Sequence, residues 1–445
     1  MAMVVKNNMS AKNTLNQLNR NEKALSKDLK KVASGLKIND AADDASGLSI
    51  TEKMDVRLRS LEQDNQNVQN GNSMLKVAEG AMTSTVDILK TMKEKVINAA
   101  NDTNSDADRA IIQKEIDQAI DQIDENANVS YNGKLMVDGS MNDLVKDPGT
   151  YTHLTNQSFA DGTNDITFMT DLTARTGDNL GIMLGDTVTV SYVKDGTTHI
   201  KSMEVTENTL FVDAFDWSPC RDDMGMQIAP VDNMGNSDNS WIGTDQYGND
   251  VYTPARTDAI TYVSKNPGIE GQISGLTICV SDKDGNLRKS ANAVLDNFNE
   301  TIRAQNPSPD NAMVLQSGTK ANEAIKIGFT DMRSVALGLK TPSGKTLNVS
   351  TQANANAAIN VVDTALQKVL DQQTKVGAVE SRLDYTSSNI VVAAENTQSS
   401  MSVIRDADMA KEMTAYTKDN VLLQASQSML AQANQNSSSV LSLLQ

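Results

Sequence analysis

The chain of 445 residues contains few cysteines, histidines, prolines and aromatic residues. Cys220 and Cys279 are its only cysteines, and they form no CxxC pair and no zinc-ligand set. The sequence is therefore compatible with two free thiols or with one disulfide. His153 and His199 are its only histidines, and without an HExxH motif we expect ordinary surface or hairpin residues. Phosphate-binding GxxxxGK[ST] and GxGxxG motifs are also missing. An enzyme is therefore not expected.

Positive charge and long apolar runs are scarce as well. Asp and Glu total 57 against 40 Lys and Arg, which gives a net charge of −17 and argues against nucleic-acid binding. No run of 18 apolar residues exists, so we expect no membrane insertion, and no secretory signal is visible. The acidic clusters lack EF-hand spacing and are interpreted as solvated helix faces, so no metal or cofactor is expected. Taken alone, these features fit a cytoplasmic protein or the substrate of an export machine that needs no signal.

Heptad patterns, by contrast, are long and occupy both ends of the chain. The first steps by three and four through Leu15, Leu18, Leu25, Leu29, Val32 and Leu36, with Glu22 as a polar interruption. A second pattern predicts one helix over residues 54–100, and a third resumes between Ile359 and Leu383. Narrow stripes of this kind cannot bury themselves alone. The simplest arrangement pairs the two ends of the chain as antiparallel coiled coils.

The last stretch, Met401–Gln445, has no glycine or proline and predicts an amphipathic helix. Its apolar stripe consists of Met409, Met413, Tyr416, Leu423 and Leu430, and it closes on Val440, Leu441, Leu443 and Leu444. An amphipathic helix with an apolar end needs a partner. We interpret this stripe and the Leu15–Leu36 stripe as one assembly seam that is too long for one subunit to satisfy.

The middle of the chain, residues 140–310, has a different composition, with most of the proline and both tryptophans. Alternation over residues 187–193 and 199–205 around an Asp195-Gly196 turn predicts a β-hairpin. Further strands are predicted at 260–263 and 273–280, and a helix at 290–305. Short runs punctuated by glycine at 315–328 and 338–344 predict a hairpin after this region. The predicted fold is therefore mainly α, with long antiparallel coiled-coil helices from the two ends, a β-hairpin beside the helical core, and an inserted β-rich (α+β) outer domain.

Several ordered motifs at both ends resemble bacterial flagellin. In the N-terminal half they are Ser34 to Asn39, Asp43 to Ile50, Asn67 to Leu75, Asn101 to Ser105 and Tyr131 to Lys134. In the C-terminal half they are Leu315 to Leu339, Gly377 to Leu383, Ile404 to Glu412, Leu430 to Asn434 and the tail from Val440. The resemblance is specific because these motifs occur in order along both ends.

The resemblance implies an extracellular filament subunit that polymerises with itself for swimming motility. Residues 1–45 and 400–445 would line the inner tube, residues 46–139 and 311–399 would form the outer tube, and residues 140–310 would face solvent. It also implies export in the unfolded state through the flagellar type III apparatus, a dedicated secretion chaperone on the C-terminal helices, and contacts with filament cap and hook-junction proteins. A minor hook–filament junction protein is the alternative.

Many flagellins are also ligands of host Toll-like receptor 5, and the resemblance extends to that region. The residues that fit the receptor pattern are Leu89, Lys93, Glu94, Asn101, Asn104 and Glu115. Thr91 stands where receptor-active members have Arg, and Lys95 where they have Leu. Loss of an arginine guanidinium group at the centre of an interface costs about 2 kcal/mol or more of binding free energy.

Overall fold

The computed structural model describes residues 8–164, 166–229, 240–253 and 259–443. Its helices are α1 Met9–Ser34, α2 Ala45–Ala100, α3 Asp106–Ala127, α4 Cys220–Asp223, α5 Lys289–Leu295, α6 Gln352–Arg405 and α7 Met409–Leu443. Among the described residues, no helix is long and apolar enough to span a bilayer. The same residues contain no cluster of His, Cys, Asp and Glu that would hold a metal ion.

The strands are short and lie between α3 and α6. They are β1 Ser130–Tyr131, β2 Lys134–Leu135, β3 His153–Asn156, β4 Thr187–Lys194, β5 Thr197–Glu204, β6 Met224–Ala229, β7 Trp241–Thr244, β8 Asp250–Tyr252, β9 Ala259–Ser264, β10 Ile273–Ser281, β11 Asn299–Ile302, β12 Met313–Gln316 and β13 Ala324–Ile327. The larger sheets have the orders β10-β4-β5 and β11-β3-β9-β6, and neighbouring strands in both sheets are antiparallel. Long helices at both ends and antiparallel sheets between them confirm the predicted fold class.

The chain forms two compact units. The terminal unit comprises the described parts of Met1–Gln69, Gln316–Glu323 and Tyr385–Gln445. The central unit comprises the described parts of Asn70–Leu315 and Ala324–Asp384. Helices α2 and α6 each contribute residues to both units.

In the terminal unit, backbone hydrogen bonds join the two points at which the long helices break. Helix α1 ends at Gly35, whose positive φ of 70° gives the left-handed cap that glycine adopts readily. Lys37 N donates to the Arg405 carbonyl at 2.7 Å, and Ala407 N donates to the Gly35 carbonyl at 2.9 Å. The break between α1 and α2 is therefore hydrogen-bonded to the break between α6 and α7.

The helical part of the central unit buries the apolar stripe that the heptad pattern predicts. Its fully buried side chains include Leu75, Met82, Leu89, Ile116 and Ile120. Polar contacts also occur where α2 packs against α6, and we call this packing interface the α2–α6 seam. In one of them, Gln373 Nε2 donates to Thr83 Oγ1 at 3.1 Å. The two helices of this seam run antiparallel, because Asn72 meets Asp384 whereas Lys93 meets Asp363.

The approach of strand β12 to α2 depends on a glycine. A Cβ atom at Gly71 would lie 2.9 Å from Leu315 Cδ1, closer than carbon atoms normally approach. Gly71, which weakens the helix by propensity, therefore makes room for a packed leucine.

The β-rich part of the central unit has its own core of aromatic and aliphatic side chains. Phe215 and Tyr262 stack with ring centroids 4.1 Å apart, and Phe159 meets Phe211 edge to face at 5.5 Å. The predicted hairpin is confirmed as β4 and β5, whose turn at Asp195 and Gly196 has positive φ at both residues.

Two predictions for this region are wrong. Residues 290–305 do not form one helix, because α5 ends at Leu295 and β11 pairs with β3. His153 is buried in β3 rather than exposed, and burial lowers its pKa. His199 does lie in the hairpin, on β5. The two cysteines are thiols, Cys220 buried and Cys279 partly buried.

A buried ion pair links β11 to α6 in the central unit. Lys368 Nζ lies 3.4 Å from Glu300 Oε2, and both side chains are almost completely buried. Gln272, oriented so that its amide nitrogen donates to the Ala336 carbonyl, places its oxygen against the Lys368 ammonium. Burial lowers the pKa of Lys368, and the Glu300 carboxylate opposes that shift.

Candidate assembly seam and receptor region

Helices α1 and α7 pack against each other in antiparallel orientation in the terminal unit. The Asn8 side chain donates to the Ala433 carbonyl at 3.3 Å, close to the start of α1. Near its other end, Lys31 Nζ lies 3.3 Å from Glu412 Oε1. These contacts fix the register of the pair, which we call the terminal hairpin.

The seam of the terminal hairpin alternates apolar and polar residues. On α1, Leu18, Leu25 and Val32 lie half-buried at a spacing of seven, and Asn21 is the one buried residue between them. The Asn21 amide donates to Ser426 Oγ at 2.7 Å and to the Leu422 carbonyl at 3.2 Å. On α7, the half-buried residues of the predicted stripe are Tyr416, Leu423 and Leu430.

A pair of carboxyl groups lies on the same seam. Burial raises the pKa of Asp28, and the nearby carboxylates of Asp419 and Glu412 raise it further, while Lys31 opposes them. The seam therefore contains polar groups where a stable coiled coil has apolar ones, which lowers its intrinsic stability.

Several of the predicted seam residues do not lie in this seam. Leu15 is 44% exposed and Leu29 is 51% exposed, and Met409 and Met413 are similarly exposed on α7. Leu36 follows α1 and forms an isolated bridge with Asp406. The side chains of Val440, Leu441 and Leu443, and Leu444 as a whole, lie outside the described residues.

Helix α7 carries further apolar residues on its solvent side. Val421, Leu422 and Met429 are all exposed. A shallow groove of about 510 Å³ runs along the helix between Met413 and Leu422. Both helices of the terminal hairpin thus leave apolar surface uncovered.

The predicted receptor region lies in the central unit, on α2, α3 and the turn between them. Leu89 is 0% exposed, so its side chain is not on the surface that a receptor would contact. Lys93 pairs with Asp363 at 2.5 Å, and Glu94 beside it is exposed. Glu115 is paired with Lys95 at 2.6 Å. Thr91 is exposed on the same helix.

The turn between α2 and α3 is held in one conformation by side-chain hydrogen bonds. The Asn104 amide donates to the Asn98 carbonyl at 2.5 Å, and buried Arg109 donates to the carbonyls of Ala99 and Asn101. Ser105 and Asp108 form a reciprocal capping box at the start of α3. This turn therefore presents the exposed Asn101 side chain on a rigid support.

The polar members of the α1–α7 seam are the residues that sequence reasoning missed. The pattern Leu18, Leu25, Val32 has a strict period of seven, and Asn21 and Asp28 complete it with 4-3 spacing. Including Leu15 and Leu29 in one stripe instead mixed the residues that face α7 with residues that face solvent. Spacing of seven does not show which set faces α7, because Leu15, Glu22 and Leu29 have it too. The charged Glu22, which is exposed, was the signal that this second set faces solvent.

Family comparisons agree with the two long helical ends. The sequence-family model described as bacterial flagellin N-terminal helical region matches residues 5–142. The model described as bacterial flagellin C-terminal helical region matches residues 359–444. Together these two matches include α1, α2, α3 and α7 and most of α6.

Whole-chain comparisons extend the similarity through the middle. A flagellin of Clostridium tyrobutyricum is 32% identical over 437 residues, which cover 97% of this chain and 99% of that protein. Polar flagellin A of Vibrio parahaemolyticus is 31% identical over 445 residues, covering 100% of each chain. The structure of FliC from Burkholderia pseudomallei covers 70% of this chain and 99% of its own at 19% identity, with a TM-score of 0.26 that supports no further argument.

Proposed function

The chain belongs to the bacterial flagellin family of extracellular filament subunits, and we propose that its terminal hairpin supplies the main contacts that hold this filament together. The observation that carries the proposal is the exposed apolar surface on both α1 and α7. The family is structural and not enzymatic, and the full-length relatives named flagellin give no support to the junction-protein alternative.

Each helix of the terminal hairpin carries two groups of apolar side chains. One group faces the other helix of the hairpin, and the second group is exposed. Leu18, Leu25 and Val32 contact α7 within the subunit, whereas Leu15 and Leu29 point away from that seam. Burial of an exposed leucine contributes about 1.5–3 kcal/mol. Neighbouring subunits that cover Leu15 and Leu29 would therefore add several kcal/mol per subunit to a filament.

We expect the double variant Leu15→Gln and Leu29→Gln to polymerise poorly while the free chain keeps its stability. Substitutions at exposed helix positions change the free energy of unfolding by about 0.5 kcal/mol or less. The loss of two intersubunit contacts should raise the critical concentration for growth on filament seeds at least tenfold. Sedimentation of seeded reactions measures it. Asn16→Gln, at an exposed neighbouring position, is the matched control, and growth of the double variant at the wild-type concentration would contradict the proposal.

Before export, the same apolar surface requires a cover. We assign the groove along Met413 to Leu422 and the exposed Met429 to a dedicated secretion chaperone, because it offers a helical apolar face to a helical partner. Export of the unfolded chain through the flagellar type III apparatus fits a terminal hairpin whose seam is partly polar. In the filament, residues 1–45 and 400–445 would form the inner tube and residues 46–139 and 311–399 the outer tube. Cap and hook-junction proteins would contact the two ends of the filament.

The central unit offers a second surface, for host Toll-like receptor 5. Asn101 and Asn104 lie in the capped turn between α2 and α3, and Lys93, Glu94 and Glu115 lie on the two helices that flank it. Leu89 would support this surface from the core and would not touch the receptor. The pairing of Lys95 with Glu115 makes one carboxylate of this set less available to a partner. We therefore propose weak receptor binding.

Replacing Thr91 by Arg and Lys95 by Leu is expected to strengthen receptor signalling at least tenfold. The planar guanidinium group of Arg supplies several hydrogen-bond donors to the receptor. Replacing Lys95 removes its ion pair with Glu115, which leaves the Glu115 carboxylate available for the receptor. Dose–response curves on reporter cells that carry the receptor measure the change. Thr176→Arg adds the same charge at an exposed site in the insertion and should leave the curve unchanged. An unchanged curve for the double variant would refute this receptor surface.

A further inference from the structure

A second candidate contact surface lies in the terminal unit, away from the seam of the terminal hairpin. It is an open groove of about 600 Å³ between one face of α2 and the loop that follows β12. On α2 the lining residues are Val56, Arg59, Ser60, Gln63 and Asp64, and on the loop they are Gln316 and Gly318 to Ala321. We call it the α2 groove. Its rim carries the exposed apolar side chain of Val56.

Asp64 at the base of this groove is an unusual residue. Its side chain lines the groove, yet the residue is only 5% exposed. Its Oδ2 atom is buried and has no hydrogen-bond partner within the described residues. A buried carboxylate oxygen normally has a cation or a hydrogen-bond donor against it, because leaving it unpaired is costly.

The electrostatic surroundings of Asp64 are negative rather than compensating. Burial raises the pKa of Asp64, and the Glu323 carboxylate raises it further. The positive side chains on the groove wall are Arg59 and Lys320. Arg59 is directed to Asp55 at 2.9 Å, and among the described ion pairs neither of these two cations pairs with Asp64. The free subunit thus contains a carboxylate that is prepared for a positive partner.

We propose that the α2 groove receives an arginine or lysine side chain from a second copy of the chain, with Asp64 as its anchor. The depth of the carboxylate selects a long cationic side chain, whose aliphatic stem would lie along the apolar rim at Val56. The inference rests on the proposed function, since subunits of a filament are packed against identical copies. It adds a polar, orientation-fixing contact to the apolar contacts of the terminal hairpin.

Asp64→Asn tests this anchor because it is expected to act in opposite directions on the subunit and on the filament. The amide has the same shape without the buried charge, so the free chain should unfold at a higher temperature than the wild type. In the filament the cation would lose its partner, and the critical concentration for seeded growth should rise about tenfold. Thermal unfolding and sedimentation of seeded reactions measure the two effects. A simple folding defect would instead lower the unfolding temperature of the free chain while it raised the critical concentration for seeded growth.

Glu62→Gln provides the matched control. It removes the same charge two residues away, at an exposed position on the same helix, and should leave both measurements unchanged. A wild-type critical concentration for Asp64→Asn, or equal effects of the two variants, would overturn the anchor while leaving the filament function intact. Failure of the wild-type chain itself to grow on seeds would refute the proposed function instead.

Discussion

A chain that ends at Ser400 is expected not to grow on filament seeds at any concentration that supports growth of the full chain. The truncation removes all of α7 and with it the partner of α1. Leu18, Leu25 and Val32 then lose the surface that half-buries them, and most of the stability of an amphipathic helix in a protein comes from such packing. The whole terminal hairpin would be lost, so the critical concentration should rise more than a hundredfold. Electron microscopy and sedimentation of seeded reactions measure this.

The same truncated chain should keep its central unit. The residues of that unit end at Asp384, and its aromatic core contains no residue from α7. Near-ultraviolet circular dichroism and the thermal transition of this unit should therefore match those of the full chain. Seeded polymerisation that survives the truncation would refute the role of the terminal hairpin. Loss of the near-ultraviolet signal would show that the truncation had damaged more than the assembly surface.

The second large effect is expected inside the central unit, where Lys368→Met should destabilise the fold by about 3–5 kcal/mol. Methionine fills much of the same volume, but it leaves the buried Glu300 carboxylate without its cation at 3.4 Å. An uncompensated buried charge costs far more than the pair itself contributes. Chemical denaturation followed by circular dichroism measures the change in the free energy of unfolding.

Two further variants show whether the buried charge is the cause. Adding Glu300→Gln to Lys368→Met removes that charge and should recover more than half of the lost stability. Lys326→Met breaks an ion pair with Asp310 in which both side chains are about half exposed, and it should cost less than about 1 kcal/mol. If the double variant were as unstable as Lys368→Met alone, the loss of packing around residue 368 would be the cause instead.

The long helices could be predicted from sequence because periodicity reports burial directly. The apolar seam residues Leu75, Met82, Val86, Leu89 and Val96 are buried in the central unit, as the heptad pattern predicted. The polar positions of the same pattern, Asn72, Glu79 and Lys93, are only partly buried. The β4–β5 hairpin was predictable for a similar reason, since alternation and an Asp-Gly turn are both local signals.

Other features depended on contacts that no local pattern contains. The segment 290–305 was predicted as a helix, but Asn299–Ile302 pairs with β3, about 145 residues earlier in the chain. The burial of His153 follows from its place in the same sheet. Asp64 looks like an ordinary solvated acid in the sequence, yet it is buried in a groove that residues of the distant loop Gln316–Ala321 also line. The domain boundaries and the individual site residues remain predictions.

The mixed seam between α1 and α7 has a consequence for where filaments start. Asn21 and Asp28 occupy positions of this seam within the subunit that would otherwise be apolar, so we expect the terminal hairpin of a free subunit to be only marginally stable. Spontaneous nucleation is then slow, because the entropy of ordering the helices is lost before enough contacts compensate for it. An existing filament end presents ordered copies and removes that barrier. We therefore expect polymerisation to need the end of an existing filament as a template.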